Sequence, residues 1–150
     1  EADRVGDPAA KNPVTSNCYS AAVITGRTTM IGYVTLGTND LARAAKFYDA
    51  IAKEMGVGRF MENETFIAWG DATSAGIGLT KPFDGKAATV GNGVMAALAA
   101  KDRAQVDRIY KLAMDMGAKD EGAPGDRGGG FYAAYFRDPD GNKLNAFVMG

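Results

Sequence analysis

The sequence predicts an α+β domain made of two βαβββ modules that form a half-open barrel. Three observations carry that expectation. An amphipathic helical face runs from Leu41 to Met55, a second strand–helix pattern starts at Val94, and an Asp138-Pro139-Asp140-Gly141 turn separates two strand-like runs. The 150 residues suffice for one domain with a sizeable core, and 46 % apolar against 23 % charged residues argues against wholesale disorder.

Ile31 to Gly37 (IGYVTLG) is rich in strand formers and stops at glycine. Asn39 or Asp40 can cap the following helix. Its apolar positions Leu41, Ala44, Ala45, Tyr48, Ile51, Ala52 and Met55 share one face, and Gly56 suits the left-handed residue that ends it. Three strand-like runs, Val57 to Met61, Thr65 to Trp69 and Ala75 to Thr80, complete a module over about 30–82. A loop with Pro82, Gly85, Gly91 and Asn92 leads to the second module, about 92–150.

Val94 to Ala100 reads as a strand, Asp102 as a cap, and Val106, Ile109, Tyr110 and Ala113 as a helical face ending at Gly117. One common offset places Tyr33 on Met95, Asp40 on Asp102 and Tyr48 on Tyr110. Gly122 to Gly130 reads as a glycine-rich loop. Gly128 to Gly130 lack the lysine and strand-to-helix context of a phosphate loop, so a flexible flap at a cavity mouth is expected there. Phe131 to Arg137 and Asn142 to Met149 are the last strands, and proline presets φ in the turn between them. Arg137 and Lys143 flank that turn and are expected to meet Asp138 and Asp140 in exposed ion pairs. A curved sheet of this size buries only one face. Two modules side by side would therefore enclose a concavity able to hold a ligand.

Residues Glu1 to Thr29 show no sustained period and are expected to be an N-terminal extension, either non-native or an arm. The chain has no histidine, which removes serine–histidine and cysteine–histidine catalysis and any histidine-bound metal. Its one cysteine, Cys18, forms no internal disulfide and fits a reducing, cytoplasmic location. A net charge of −1 without blocks of like charge argues against nucleic-acid and membrane-surface partners, and no apolar run reaches transmembrane length.

The segments MIGYVTLGTNDLARAAKFYDAIAKEMG, GKAATVGNGVMAALAAKDRAQVDRIY and FYAAYFRDPDGNKLNAFV carry a resemblance to the vicinal oxygen chelate superfamily (glyoxalase, bleomycin resistance protein, dioxygenase). The NDL-x-R-A-x-x-FY helix and the YFRDPDGN hairpin are its most specific parts. The resemblance implies a metal on the concave face, held by histidine or glutamate from four strands. The four ligand positions fall at Tyr33, near Gly78, and at Met95 and Asn145, none of them histidine or carboxylate. Gly78 has no side chain, Met95 suits soft cations, Asn145 is a weak neutral ligand, and Tyr33 would have to lose a proton near pH 10. No metal and no cofactor are therefore expected.

Strand alternation aims Tyr33, Met95 and Asn145 into the concavity, where they either line a pocket or plug it. Phe60, Phe66, Trp69, Phe131, Tyr132 and Tyr135 lie on the strands, where aromatics are more often core than ligand platform. Trp69 and Tyr132 are preferred as pocket residues because each carries a polar atom that needs a partner. Arg127 could reach an anionic ligand, although a solvated loop arginine is the simpler reading. Arg43, Lys46, Asp49, Lys53 and Glu54 read as an ordinary solvated helix face, and Glu62 and Glu64 bracket a hairpin bend. No carboxylate pair converges on the cavity.

The expected function is metal-free binding of a small molecule, such as sequestration of a toxic or aromatic compound. The expected ligand-binding set is Tyr33, Trp69, Met95, Tyr132 and Asn145, with a homodimer as the assembly. The alternative is a lyase-, isomerase- or dioxygenase-type enzyme with an atypical metal site or acid–base chemistry through Tyr33. A third reading fills the cavity and leaves a role in protein association.

Overall fold

The computed structural model describes residues 30–71 and 73–150. The expected extension over Glu1 to Thr29, with Cys18, lies outside the described residues. The chain runs β1 (Tyr33–Gly37), α1 (Leu41–Met55), β2 (Gly58–Glu62), β3 (Phe66–Gly70), β4 (Gly76–Thr80), β5 (Ala96–Ala99), α2 (Arg103–Asp115), β6 (Lys119–Asp126), β7 (Phe131–Arg137) and β8 (Lys143–Met149). Two four-stranded sheets result, ordered β1-β4-β3-β2 and β5-β8-β7-β6. Each is a βαβββ module in which the first strand lies parallel to the last and the other pairings are antiparallel. Among the described residues no strand pairing joins the sheets, so the barrel is open.

The helix ends follow from single residues. The Asp40 carboxylate accepts from the Arg43 N–H and that of Asp102 from the Gln105 N–H, satisfying donors that each first turn would otherwise orphan. Gly56, at φ +77°, ends α1 in the left-handed conformation. The apolar faces of both helices meet one shared core containing Phe47, Ile51, Leu79, Val106, Ile109, Phe136 and Leu144.

The first part of the expected Gly122–Gly130 loop, through Asp126, belongs to strand β6 (Lys119–Asp126), paired to β7 with register irregularities at Gly122 and Gly125. It is an edge strand, which is why Pro124 is tolerated. Gly128 to Gly130 form a closed turn rather than a flap. The Arg127 N–H donates to the Phe131 carbonyl and the Phe131 N–H to that of Gly128, and the three glycines have φ of +93°, +62° and +80°.

The turn at Asp138 also departs from expectation. Arg137 and Lys143 both pair with Glu121 instead. Asp138 is buried and accepts the Tyr48 hydroxyl at 2.8 Å and the Asn142 side-chain amide at 2.9 Å. Asp140 accepts the Thr38 hydroxyl at 2.7 Å and the Arg43 guanidinium at 2.8 Å. The second module's turn is thus a clasp on β1 and α1 of the first. Burial, then the Asp138 carboxylate, pushes the Tyr48 hydroxyl pKa well above its ordinary value. The helix face read as solvation is likewise engaged: Asp49 pairs with Arg59, Glu54 with Arg108, and Arg43 with Asp140.

Candidate functional site

Each sheet turns one face to the helices and leaves the other open. In the first sheet, Leu36, Ile67, Trp69 and Leu79 belong to the core, so alternation sends Tyr33, Thr35, Phe66, Ala68 and Gly78 to the open face. Packing agrees. A Cβ placed on Gly78 would lie 2.6 Å from the Phe66 ring, and the Phe66 and Tyr33 rings meet edge-on at 6.1 Å. The ring of Phe66 therefore fills the space above Gly78.

In the second sheet, Leu98, Ala134, Phe136, Leu144 and Ala146 are core, which leaves Ala97, Tyr135, Asn145 and Phe147 on the open face. Asn145 sits between Ala97 on β5 and Tyr135 on β7. Only 1 % of it is exposed, and its Oδ1 has no hydrogen-bond partner. Such a buried acceptor typically costs about 1–3 kcal/mol. Arg127 and Lys143 lie over the Tyr135 ring at 5.6 and 5.8 Å from its centroid. Gly122 makes room for this arrangement, since a Cβ there would stand 3.3 Å from Tyr135 and 3.4 Å from Arg127.

Met95 stands at the entrance to β5 and is 42 % exposed, and Tyr33 on the first sheet is 45 % exposed. Met95 and Asn145 share the second module, whereas Tyr33 lies on the separate first sheet. Trp69 and Tyr132 are placed elsewhere, on the helix side. The Trp69 indole N–H donates to Asp49 at 2.8 Å and the Tyr132 hydroxyl to Asp107 at 2.8 Å, each ring under an arginine. Their polar atoms do find partners, but on α1 and α2. The Asp107 hydrogen bond raises the Tyr132 pKa, and the Arg59 hydrogen bond lowers that of Asp49.

Phe66, Tyr135, Phe131 and Phe147 are open-face aromatics outside the expected ligand-binding set. Counting outward from the Asp138–Gly141 turn would have found Tyr135. Arg137 pairs with Lys143, so Tyr135 stands beside Asn145 and Tyr132 points the other way.

The four ligand positions implied by the resemblance do not suit a family-type divalent metal. They offer a phenol, no side chain, a thioether and a neutral amide, with one place occupied by the Phe66 ring. Among the described residues no three histidine, cysteine, aspartate or glutamate side chains gather in a metal-binding group. No described helix is long and apolar enough to cross a membrane.

Two concavities lie away from the open faces. A shallow cleft of about 680 Å³ runs between the start of α1 and the β2–β3 hairpin, where Lys46, Arg59 and Lys81 mix with Asp40, Glu62 and Glu64. A cavity of about 90 Å³ sits in the core beside Tyr48, Met55, Trp69, Ile77 and Leu98. Neither gathers groups of one chemistry.

Residues 30–146 match the family described as the Glyoxalase/Bleomycin resistance protein/Dioxygenase superfamily. The chain is similar to a glyoxalase/bleomycin resistance protein from Albidiferax ferrireducens T118, with 35 % identity over 81 % of this chain and 100 % of that one and a TM-score of 0.76. It shares its fold with a glyoxalase/bleomycin resistance protein/dioxygenase family enzyme from Burkholderia phytofirmans PsJN (19 % identity, 79 % and 98 % covered, TM-score 0.66). The same holds for a lactoylglutathione lyase from Agrobacterium tumefaciens (20 % identity, 81 % and 95 % covered, TM-score 0.60). No curated protein matches.

Proposed function

The chain belongs to the glyoxalase/bleomycin resistance protein/dioxygenase superfamily, and from that premise we propose that it binds a small, partly aromatic molecule on its open sheet faces without a metal ion. Sequestration of a toxic or aromatic compound is the concrete form of this reading. One observation carries it: the positions where the family places metal ligands hold Tyr33, Gly78, Met95 and Asn145, and the space over Gly78 holds a ring. The same positions supply an apolar, aromatic floor and two hydrogen-bonding side chains. Trp69 and Tyr132 enter the proposal as props that hold β3 and β7 against the helices, with Phe66 and Tyr135 taking their place as ligand contacts.

The proposed assembly is a homodimer. Among the described residues β1 and β5 are each paired on one side only, and Met95, Val94 and Met149 are 42 %, 59 % and 61 % exposed around the open faces. A second copy covering these faces would bury them and enclose the ligand. A cytoplasmic location rests on the lone cysteine and is part of the same proposal.

The test is amide chemical-shift mapping with a library of small aromatic compounds, with sedimentation run in parallel. Saturable shifts at Tyr33, Met95 and Asn145 are the expected result. They should weaken at least about tenfold in Tyr33→Phe with Asn145→Ala, as expected when two hydrogen bonds are lost. Shifts confined to the Lys46–Lys81 cleft, or unchanged affinity in the double variant, would contradict the reading.

A further inference from the structure

We propose that the open-face site selects an anionic ligand, a carboxylate that also carries a hydroxyl group and an aromatic body. This deepens the binding reading above and rests on it. The inference comes from an asymmetry between the two open faces and from one unsatisfied atom.

The first sheet contributes no charge to its open face: β1 (YVTLG), β3 (FIAWG) and β4 (GIGLT) contain no ionisable acid or base other than Tyr33, and Arg59 and Glu62 of β2 are in register with Trp69 and Ile67 on the helix side. The second contributes an excess of positive charge. Arg127 and Lys143 lie over the Tyr135 ring, and the one carboxylate paired with this group among the described residues is Glu121, which Lys143 shares with Arg137. Arg127 has no carboxylate partner among the described residues. Its Nη2 donates to the carbonyls of Ala123 and Ala133, which fixes the guanidinium and leaves Nη1 and Nε for another acceptor.

The neighbouring carboxylates do not neutralise this cluster, because they are used on the helix side. Asp126 pairs with Arg103, and Asp120 holds the Tyr110 hydroxyl and the Gly122 N–H. An anion arriving over Tyr135 therefore meets the remaining donors of a fixed Arg127, beside a Lys143 that Glu121 already holds.

Asn145 supplies the second, independent requirement. It is the register neighbour of Tyr135, it is buried, and its Oδ1 is an acceptor without a donor. A carboxylate alone would not satisfy it. A hydroxyl on the same ligand would, and the aromatic body would then lie along the apolar floor near Phe147 and Met95. A positively charged ligand would satisfy Asn145 but be repelled by the arginine and lysine.

Mandelate, mandelamide and phenylacetate separate these requirements. The amide removes the charge, and phenylacetate removes the hydroxyl. Binding to the full chain is measured by titration calorimetry and by amide shifts at Tyr33, Tyr135 and Asn145. Mandelate is expected to bind at least about tenfold more tightly than mandelamide, as for a charge-assisted contact. Added salt should narrow that gap, and Arg127→Gln with Lys143→Gln should close it. Mandelate should also exceed phenylacetate, by a margin that Asn145→Leu abolishes. The melting temperature of each variant confirms that it folds.

Equal binding of mandelate and mandelamide, or a gap that survives in the double variant, overturns the anionic ligand class. If neutral aromatics still shift the open-face amides, the binding reading stands and only the ligand class falls. If no compound of either kind shifts them, both fall.

Discussion

The helix side and the open side of the two sheets are built from the same strands, residue by alternate residue, yet they treat polar atoms in opposite ways. On the helix side every conspicuous polar tip is answered: Trp69 by Asp49, Tyr132 by Asp107, Tyr48 by Asp138, and the Gln105 amide by the Glu54 carbonyl. On the open side Asn145 keeps a buried oxygen without a donor, and Met95 remains nearly half exposed. In the proposed reading the difference separates stability from function. Groups that serve folding are paired within the chain, and groups held ready for a partner carry a cost.

The contrast can be broken from either side. The largest effect is expected from Phe136→Ala. The ring is fully buried and packs against Phe47 at 6.5 Å, so its loss should cost about 3–5 kcal/mol of unfolding free energy in a denaturant titration. Asp138→Ala comes next, at about 2–3 kcal/mol, because it strands the buried Tyr48 hydroxyl and the Asn142 amide between the modules. A loss below about 0.5 kcal/mol by the same titration would show that the clasp is ornamental.

Asn145→Leu should have the opposite sign. Removing an unsatisfied buried oxygen should raise stability by about 1 kcal/mol, while the preference for a hydroxyl-bearing ligand is lost. A clear drop in melting temperature would mean that Asn145 is structural filler. The smallest effect is expected at the helix surface. Asp49, partly exposed, has its pKa lowered by Arg59, so its contribution is present above the ordinary aspartate value of about 3.9 and disappears as pH falls through its lowered value. Asp49→Asn should therefore melt lower than the parent at neutral pH, by less than about 1 kcal/mol of stability. The two melting curves should converge in acid.

Much of the fold is legible in the sequence because its signals are local. The face from Leu41 to Met55, the caps at Asp40 and Asp102, and the turn at Asp138 each depend on neighbours in the chain. β6 is not legible, since KDEGAPGD contains almost no strand formers and becomes a strand only by pairing along one edge of β7. The clasp is hidden for a related reason: what Asp138 and Asp140 touch lies about a hundred residues away in sequence, as the Thr38–Asp140 separation of 102 shows.

For the site, position was easier to read than direction. The family resemblance marks Tyr33, Met95 and Asn145, but the polar tips of Trp69 and Tyr132 say nothing of strand parity. Each lies an odd number of residues from Phe66 or Tyr135 on the same strand, and so faces the other way. That Phe66 fills the space at Gly78 is a cross-strand contact, which no local sequence pattern encodes.

Thermal unfolding of EDTA-treated protein, with and without Ni²⁺, Zn²⁺, Fe²⁺, Mn²⁺, Cu⁺ and Ca²⁺, tests the central claim of a metal-free open face most directly. A cation that binds only the folded state must raise the transition. The account predicts unchanged melting after EDTA and no saturable shift with any of these ions. A large, saturable shift at near-stoichiometric metal would contradict it and return Tyr33, Met95 and Asn145 to the role of metal ligands.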